Sequence, residues 1–151
     1  MRFVINTGEA ETSSPWKSIF DESETKLNRM EEKRMDLKTR NMNDGTMVIE
    51  VTGRLDAVTS PLFEKEIVAF LAKEKQGMAL DFKHLDYISS SGLRALILGA
   101  KKAKANNGAL VLFGLKQQVM EVFDISGFSS ILTILPGEAE ALAYIDHQLE
   151  R

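Results

Sequence analysis

The sequence predicts an α/β domain built on a mixed, mostly parallel sheet, and three observations carry that expectation. Ala109-Leu110-Val111-Leu112-Phe113 is a continuous apolar run, the signature of a strand covered on both faces. Between such runs lie stripes of helical period, as in Phe63, Ile67, Phe70 and Leu71. Helix punctuation separates the two patterns, with Ser60-Pro61 at one start and Asn106-Asn107-Gly108 at one end. Alternating strands and helices imply parallel neighbours joined by right-handed crossovers. At 151 residues the chain has room for one ordinary domain and not for two.

The elements follow in order. Residues 1–35 read as an N-terminal extension, because Thr7 to Arg34 is rich in Glu, Ser, Thr and Lys and poor in aliphatics. Within it Ser14-Pro15 is a fair helix start, and Trp16, Ile19, Phe20, Leu27 and Met30 recur at helical spacing. Three readings stay open: a disordered tail, an amphipathic helix docked on the domain or a partner, and a start assigned too early, with Met30 or Met35 the true one. Residues 36–151 form the domain. Leu37 to Asn41 is a weak strand, Asp44-Gly45 a turn, and Met47, Ile49 and Val51 alternate with Val48, Glu50 and Thr52, so a hairpin opens the sheet. The first helix runs from Ser60-Pro61 to near Gln76-Gly77. Met78 to Phe82 is a buried strand, followed by a loop and a helix bearing Leu93, Leu96, Ile97 and Ala100 on one face. After the strand Ala109–Phe113, a short helix carries Leu115, Val119, Val122 and Phe123. Ile131 to Leu135 is the last strand and Glu138 to Leu149 the last helix, about four helices in all.

Composition removes several functional classes. A net charge of −3 with mixed signs argues against nucleic acid as the main partner, since phosphate neutralisation needs a clustered positive surface. Lys101, Lys102 and Lys104 cluster, but on the solvent face of one helix. Cysteine is absent, which excludes disulfides, thiol catalysis and Cys-based zinc sites and suits a reducing compartment. No apolar stretch approaches the roughly 20 residues that cross a bilayer. The start of the chain lacks a signal-peptide core, so a cytoplasmic protein without membrane association is expected. His84 and His147 are far apart and in no metal-ligand spacing; Asp56, Asp81 and Asp86 form no convincing carboxylate pair. The nucleophile elbow, the P-loop and the dinucleotide glycine pattern are missing. The reading is therefore of a non-enzyme without cofactor or metal.

What remains is Ser89-Ser90-Ser91-Gly92, where a strand and its loop hand over to the helix of Leu93 to Lys104. Ser90 reads as the N-cap, its oxygen accepting from the N–H of Gly92 or Leu93. The plain alternative is that these serines serve only to start a helix. A helix N-terminus nevertheless accommodates an anion, through free N–H groups and the positive end of its dipole. Phosphorylation adds about −1.5 to −2 charges there, which the fold tolerates and an apolar or acidic partner surface does not. A loss of roughly 3 kcal/mol weakens binding about a hundredfold, enough for a switch.

Two motifs then carry a family likeness: Gly53-Arg54-Leu55-Asp56-Ala57 with Ser60-Pro61, and Leu85-Asp86-Tyr87-Ile88-Ser89-Ser90-Ser91-Gly92-Leu93-Arg94. With the turn Asn107-Gly108-Ala109-Leu110, they make residues 36–149 resemble the sulfate-transporter and anti-sigma-factor-antagonist (STAS) domain. Within it, the chain is most similar to the free-standing bacterial anti-sigma-factor antagonists. That resemblance implies a partner switch. The unmodified antagonist binds an anti-sigma factor that is also an ATP-dependent serine kinase, which frees the sigma factor. Phosphorylation at the start of the second helix breaks the complex, and a metal-dependent serine phosphatase restores it. The modified position maps onto Ser90. Many antagonists carry Asp immediately before it, where this chain has Ser89, so Ser89 is the alternative site. Partner contacts are implied at Arg54, Leu55, Asp56, Ser89, Ser91 and Arg94. Two other readings stand beside this one: a STAS regulatory or scaffold subunit, for example of a lipid transport system, and a small-molecule or nucleotide-binding site at the strand ends.

Overall fold

A computed structural model of the chain describes residues 2–4, 35–43 and 45–150. One seven-stranded sheet organises it. Its strands are β1 (Arg2–Val4), β2 (Met35–Asn43), β3 (Thr46–Leu55), β4 (Gly77–Asp81), β5 (Leu85–Ile88), β6 (Ala109–Phe113) and β7 (Thr133–Leu135). The helices are α1 (Ser60–Leu71), α2 (Ser90–Ala105), α3 (Gln117–Ser126) and α4 (Glu138–Gln148), with a 3₁₀ turn at Phe128–Ser130. The order across the sheet is β1-β2-β3-β4-β6-β7, and β5 pairs with the end of β3. β1 and β2 are antiparallel to their neighbours, while the β3–β4, β3–β5, β4–β6 and β6–β7 pairs are parallel. This is the mixed, hairpin-opened α/β architecture that the sequence predicts.

The burial pattern explains the layers. α1, α2 and α3 insert Phe63, Ile67, Leu93, Leu96, Val119 and Phe123 into one core with Leu80, Leu110 and Leu112 of the sheet. α4 covers the opposite face, where Ala141, Ile145 and Leu149 pack on Val48, Ala79, Val111 and Phe113. Alternate residues of β6 thus point into different cores, and all five are buried, as its unbroken apolar run requires. α4 is pinned at its start by an ion pair between Glu138 and Arg40 of β2. That partner raises the Arg40 pKa.

Four elements differ from the sequence reading. Arg2–Val4 forms an edge strand against Asp36 to Lys38, inside the stretch read as an extension without strands. Its expected helix, with Trp16 and its companions, lies outside the described residues. α1 stops at Leu71, because the chain turns after Ala72 and Lys75 adopts φ 56° while donating its N–H to the Asn106 carbonyl. The segment read as a loop after β4 contains β5, whose Leu85 and Ile88 are buried while Asp86 and Tyr87 are exposed. Before β7, Phe128 to Ser130 winds into the 3₁₀ turn, so the last strand begins at Thr133 rather than Ile131.

Candidate functional site

β5 is the element that builds the site. It runs parallel to the end of β3, with Arg54 opposite Tyr87 and Leu55 opposite Ile88, after a shift in register at Gly53. That shift is compatible with Gly53 because its φ is 103°, a conformation that side-chain-bearing residues rarely adopt. The pairing continues one step beyond the strand, as the Ser89 N–H donates to the Leu55 carbonyl at 2.8 Å. Ser89 is therefore held extended, at φ −96° and ψ 175°, and the helix starts at the next residue.

This corrects the capping assignment. Ser89, not Ser90, is the N-cap of α2, and its Oγ accepts from the Gly92 N–H at 3.4 Å. The Leu93 N–H takes the Ser89 carbonyl at 3.0 Å. Ser90 thereby becomes the first helical residue, its side chain exposed and not engaged in capping. The amides of the first turn have no intrahelical acceptors, so Ser90 stands at the positive end of a 16-residue helix. Gly92 lets the helix approach β3 and β5. A Cβ there would lie 2.7 Å from Ile88 Cγ1 and 3.1 Å from both the Leu55 Cβ and the Leu55 carbonyl oxygen.

The neighbouring turn is sealed by its own hydrogen bonds. Asp56 Oδ1 accepts from the Val58 and Thr59 N–H groups, each at 3.0 Å. The Thr59 hydroxyl donates to the Arg54 carbonyl and accepts from the Asp56 N–H, both at 2.9 Å. The Arg54 guanidinium lies 4.2 Å over the Tyr87 ring and 3.8 Å from Asp56 Oδ2, with about half of its side chain exposed. Such a cation–π contact contributes about 0.5–1 kcal/mol at an exposed position. On the other side, Asp86 is salt-bridged to Lys116, the residue that precedes α3.

The residues singled out in the sequence thus divide. Arg54, Ser90 and Arg94 reach the surface, and Ser89 and Ser91 are half-buried beside them. Asp56 is partly covered and committed to its turn. Leu55 is sealed in the core at 0% exposure, so its side chain is not available to a partner, contrary to the expected contact. Register is the cause: Leu55 pairs with the inward Ile88, and Arg54 with the outward Tyr87. Sequence reasoning missed Tyr87 and Val58, which are 41% and 49% exposed. Among the described residues no cluster of three or more His, Cys, Asp or Glu side chains is disposed to hold a metal ion. No helix among them is long and apolar enough to cross a membrane. A groove of about 610 Å³, lined by Ile97, Lys101, Lys104, Ile131 and Tyr144, lies by the far end of α2 and does not belong to this site.

Comparison with known proteins identifies the family and the fold. The STAS domain family model matches residues 38–141. The chain belongs to the STAS domain family. A protein of Bordetella bronchiseptica, provisionally named anti-sigma factor antagonist BtrV, is 38% identical over 72% of this chain and 93% of its own length. The anti-sigma-B factor antagonist of Listeria monocytogenes is 32% identical over 61% of this chain and 81% of its own. Among solved structures, the unphosphorylated anti-sigma factor antagonist SpoIIAA superposes with a TM-score of 0.64 at 20% identity, over 74% of this chain and 96% of that one. An anti-sigma factor antagonist from Mycobacterium paratuberculosis gives 0.63 at 23% identity, over 72% and 93%. These structural likenesses establish the fold.

Proposed function

We propose that this protein is a phospho-regulated anti-sigma-factor antagonist of the cytoplasm. In its unmodified form it binds an anti-sigma factor that is also a serine kinase, and it releases that partner when Ser90 is phosphorylated. The observation that carries this reading is the exposed Ser90 side chain at the first position of α2, in a molecule whose Arg54–Tyr87 pair is also exposed. The relatives named anti-sigma factor antagonists support the partner class.

The chemistry asked of the chain is small. The Ser90 hydroxyl presents its oxygen to the γ-phosphoryl group of ATP held by the kinase, the hydroxyl proton leaves, and ADP departs. A metal-dependent phosphatase restores the hydroxyl by hydrolysis, water taking the phosphoryl group away as inorganic phosphate. The fold accepts the product, because the new charge of about −1.5 to −2 stands at a helix N-terminus in solvent. A docked partner does not accept it. Tyr87, Val58 and Arg54 supply the aromatic, apolar and cationic contacts typical of interface anchors, and a phosphate beside them must be desolvated or expelled. Ser89 is the less favourable acceptor, since its oxygen is already the cap and it is half-buried.

The test is to incubate the full chain with the candidate kinase-type anti-sigma factor from the same genome and ATP, then map phosphate by mass spectrometry. Modification at Ser90, abolished by Ser90→Ala, is the expected result. Phosphate confined to Ser89 moves the site, and no phosphate on either serine overturns the reading.

A further inference from the structure

Arg94 is a cation on the same helix as Ser90. The two residues are one helical turn apart on α2, at i and i+4, and both side chains are exposed. The buried face of the helix, Gly92, Leu93, Ala95, Leu96, Gly99 and Ala103, lies opposite. Residues at this spacing stand one above the other, and an anion N-terminal to a cation is the favourable order. The other helical neighbours of Arg94 are Ser91, Ile97 and Leu98, none of them acidic. Among the described residues no carboxylate forms a salt bridge with Arg94. Arg54 and Asp56 of the adjoining turn are near each other at 3.8 Å, and Asp86 is bound to Lys116.

We infer that Arg94 is the intramolecular counter-ion of the Ser90 phosphate, so that modification withdraws a cation from the docking face while adding an anion to it. The inference rests on the reading of Ser90 given above. It also specifies the partner: a surface whose carboxylates meet Arg94 in the unmodified complex and lose that cation when the guanidinium turns to the phosphate. The register sets Ser89 apart from the other two serines. Ser91 is three residues from Arg94 and Ser90 four, whereas Ser89 lies five away and outside the helix proper.

The test needs no partner. Phosphoserine is installed genetically at position 90 of the full chain, and its second ionisation, ordinarily near pH 6, is followed by ³¹P NMR at low ionic strength. Arg94→Gln should raise that pKa by about 0.15–0.4 units, Arg94→Lys should leave most of the effect, and roughly 1 M salt should erase it. The same substitution with phosphoserine at position 89 should produce no such shift. Identical titrations in the parent and Arg94→Gln proteins overturn the inference, as does an equal shift for phosphoserine at 89, which would mean a diffuse field. The outcome is separable from that of the switch. Undiminished partner affinity in the Ser90-phosphorylated protein defeats the switch and leaves the ion pair, while an unshifted titration defeats the ion pair and leaves the switch.

Discussion

Two helix entrances stand on neighbouring elements of this molecule, and they use nearly the same residues to opposite ends. α1 is entered through Thr59-Ser60 and α2 through Ser89-Ser90. At the first, Asp56 and Thr59 close the turn with hydrogen bonds of 2.9–3.0 Å, and Ser60 is buried at 3% exposure with no partner for its hydroxyl among the described residues. At the second, one weaker cap bond of 3.4 Å serves the turn, and Ser90 faces solvent. The difference arises from the strands before them. The turn after β3 folds back so that α1 is buried from its first residue, whereas α2 follows β5 with Ser90 turned outward and its burial beginning at Gly92 and Leu93. A serine at a helix start is therefore not in itself a modifiable serine. Exposure of the hydroxyl depends on where the burial of the helix begins.

Substitutions can break or sharpen that contrast. Seating of α2 is the largest effect. Leu96 is 0% exposed, and Leu96→Ala should destabilise by about 2–5 kcal/mol in urea unfolding. A cost under about 1 kcal/mol would mean that α2 is not anchored as described. Next comes the close approach at Gly92, where Gly92→Ala forces a Cβ against Ile88 and the Leu55 backbone. About 1–3 kcal/mol of destabilisation is expected, together with a changed amide NMR shift at Ser90, since the helix start must move. The two caps should then differ in order. Asp56→Ala removes the acceptor of two backbone N–H groups and should cost about 1–2 kcal/mol, against about 0.5 kcal/mol for Ser89→Ala with its single long bond. Equal losses would contradict the picture of one sealed and one open entrance. The smallest effect has the opposite sign. Ser60→Ala deletes a buried hydroxyl that lacks a partner, and should stabilise by a few tenths to about 1 kcal/mol in thermal unfolding.

Much of this contrast was hidden in the sequence, although the frame around it was not. β6 was legible because a fully apolar pentapeptide has few other uses, and α2 because Leu93, Leu96 and Ile97 repeat at helical spacing. The match to the STAS domain family agrees with the serine and Gly-Arg-Leu-Asp motifs. β5 was not legible. Its four residues read buried, exposed, exposed, buried, which is the period of neither a strand nor a helix. Missing it displaced the N-cap by one residue and concealed Tyr87, which faces Arg54 across the register. Leu55 failed for the same reason, since a motif names positions in a line and only pairing decides which of them turn inward. The outward position of Arg94 was readable, because Leu93 and Leu96 mark the buried face of α2 and Arg94 lies off it.

The most direct measurement compares the affinity of the unmodified and the stoichiometrically Ser90-phosphorylated protein for the kinase-type anti-sigma factor, by calorimetry at fixed salt. A loss of at least about a hundredfold, corresponding to roughly 3 kcal/mol, is expected, with circular dichroism of the two forms unchanged. Equal affinities of two equally folded forms would contradict the account, because the exposed entrance of α2 would then not be the surface that the partner covers.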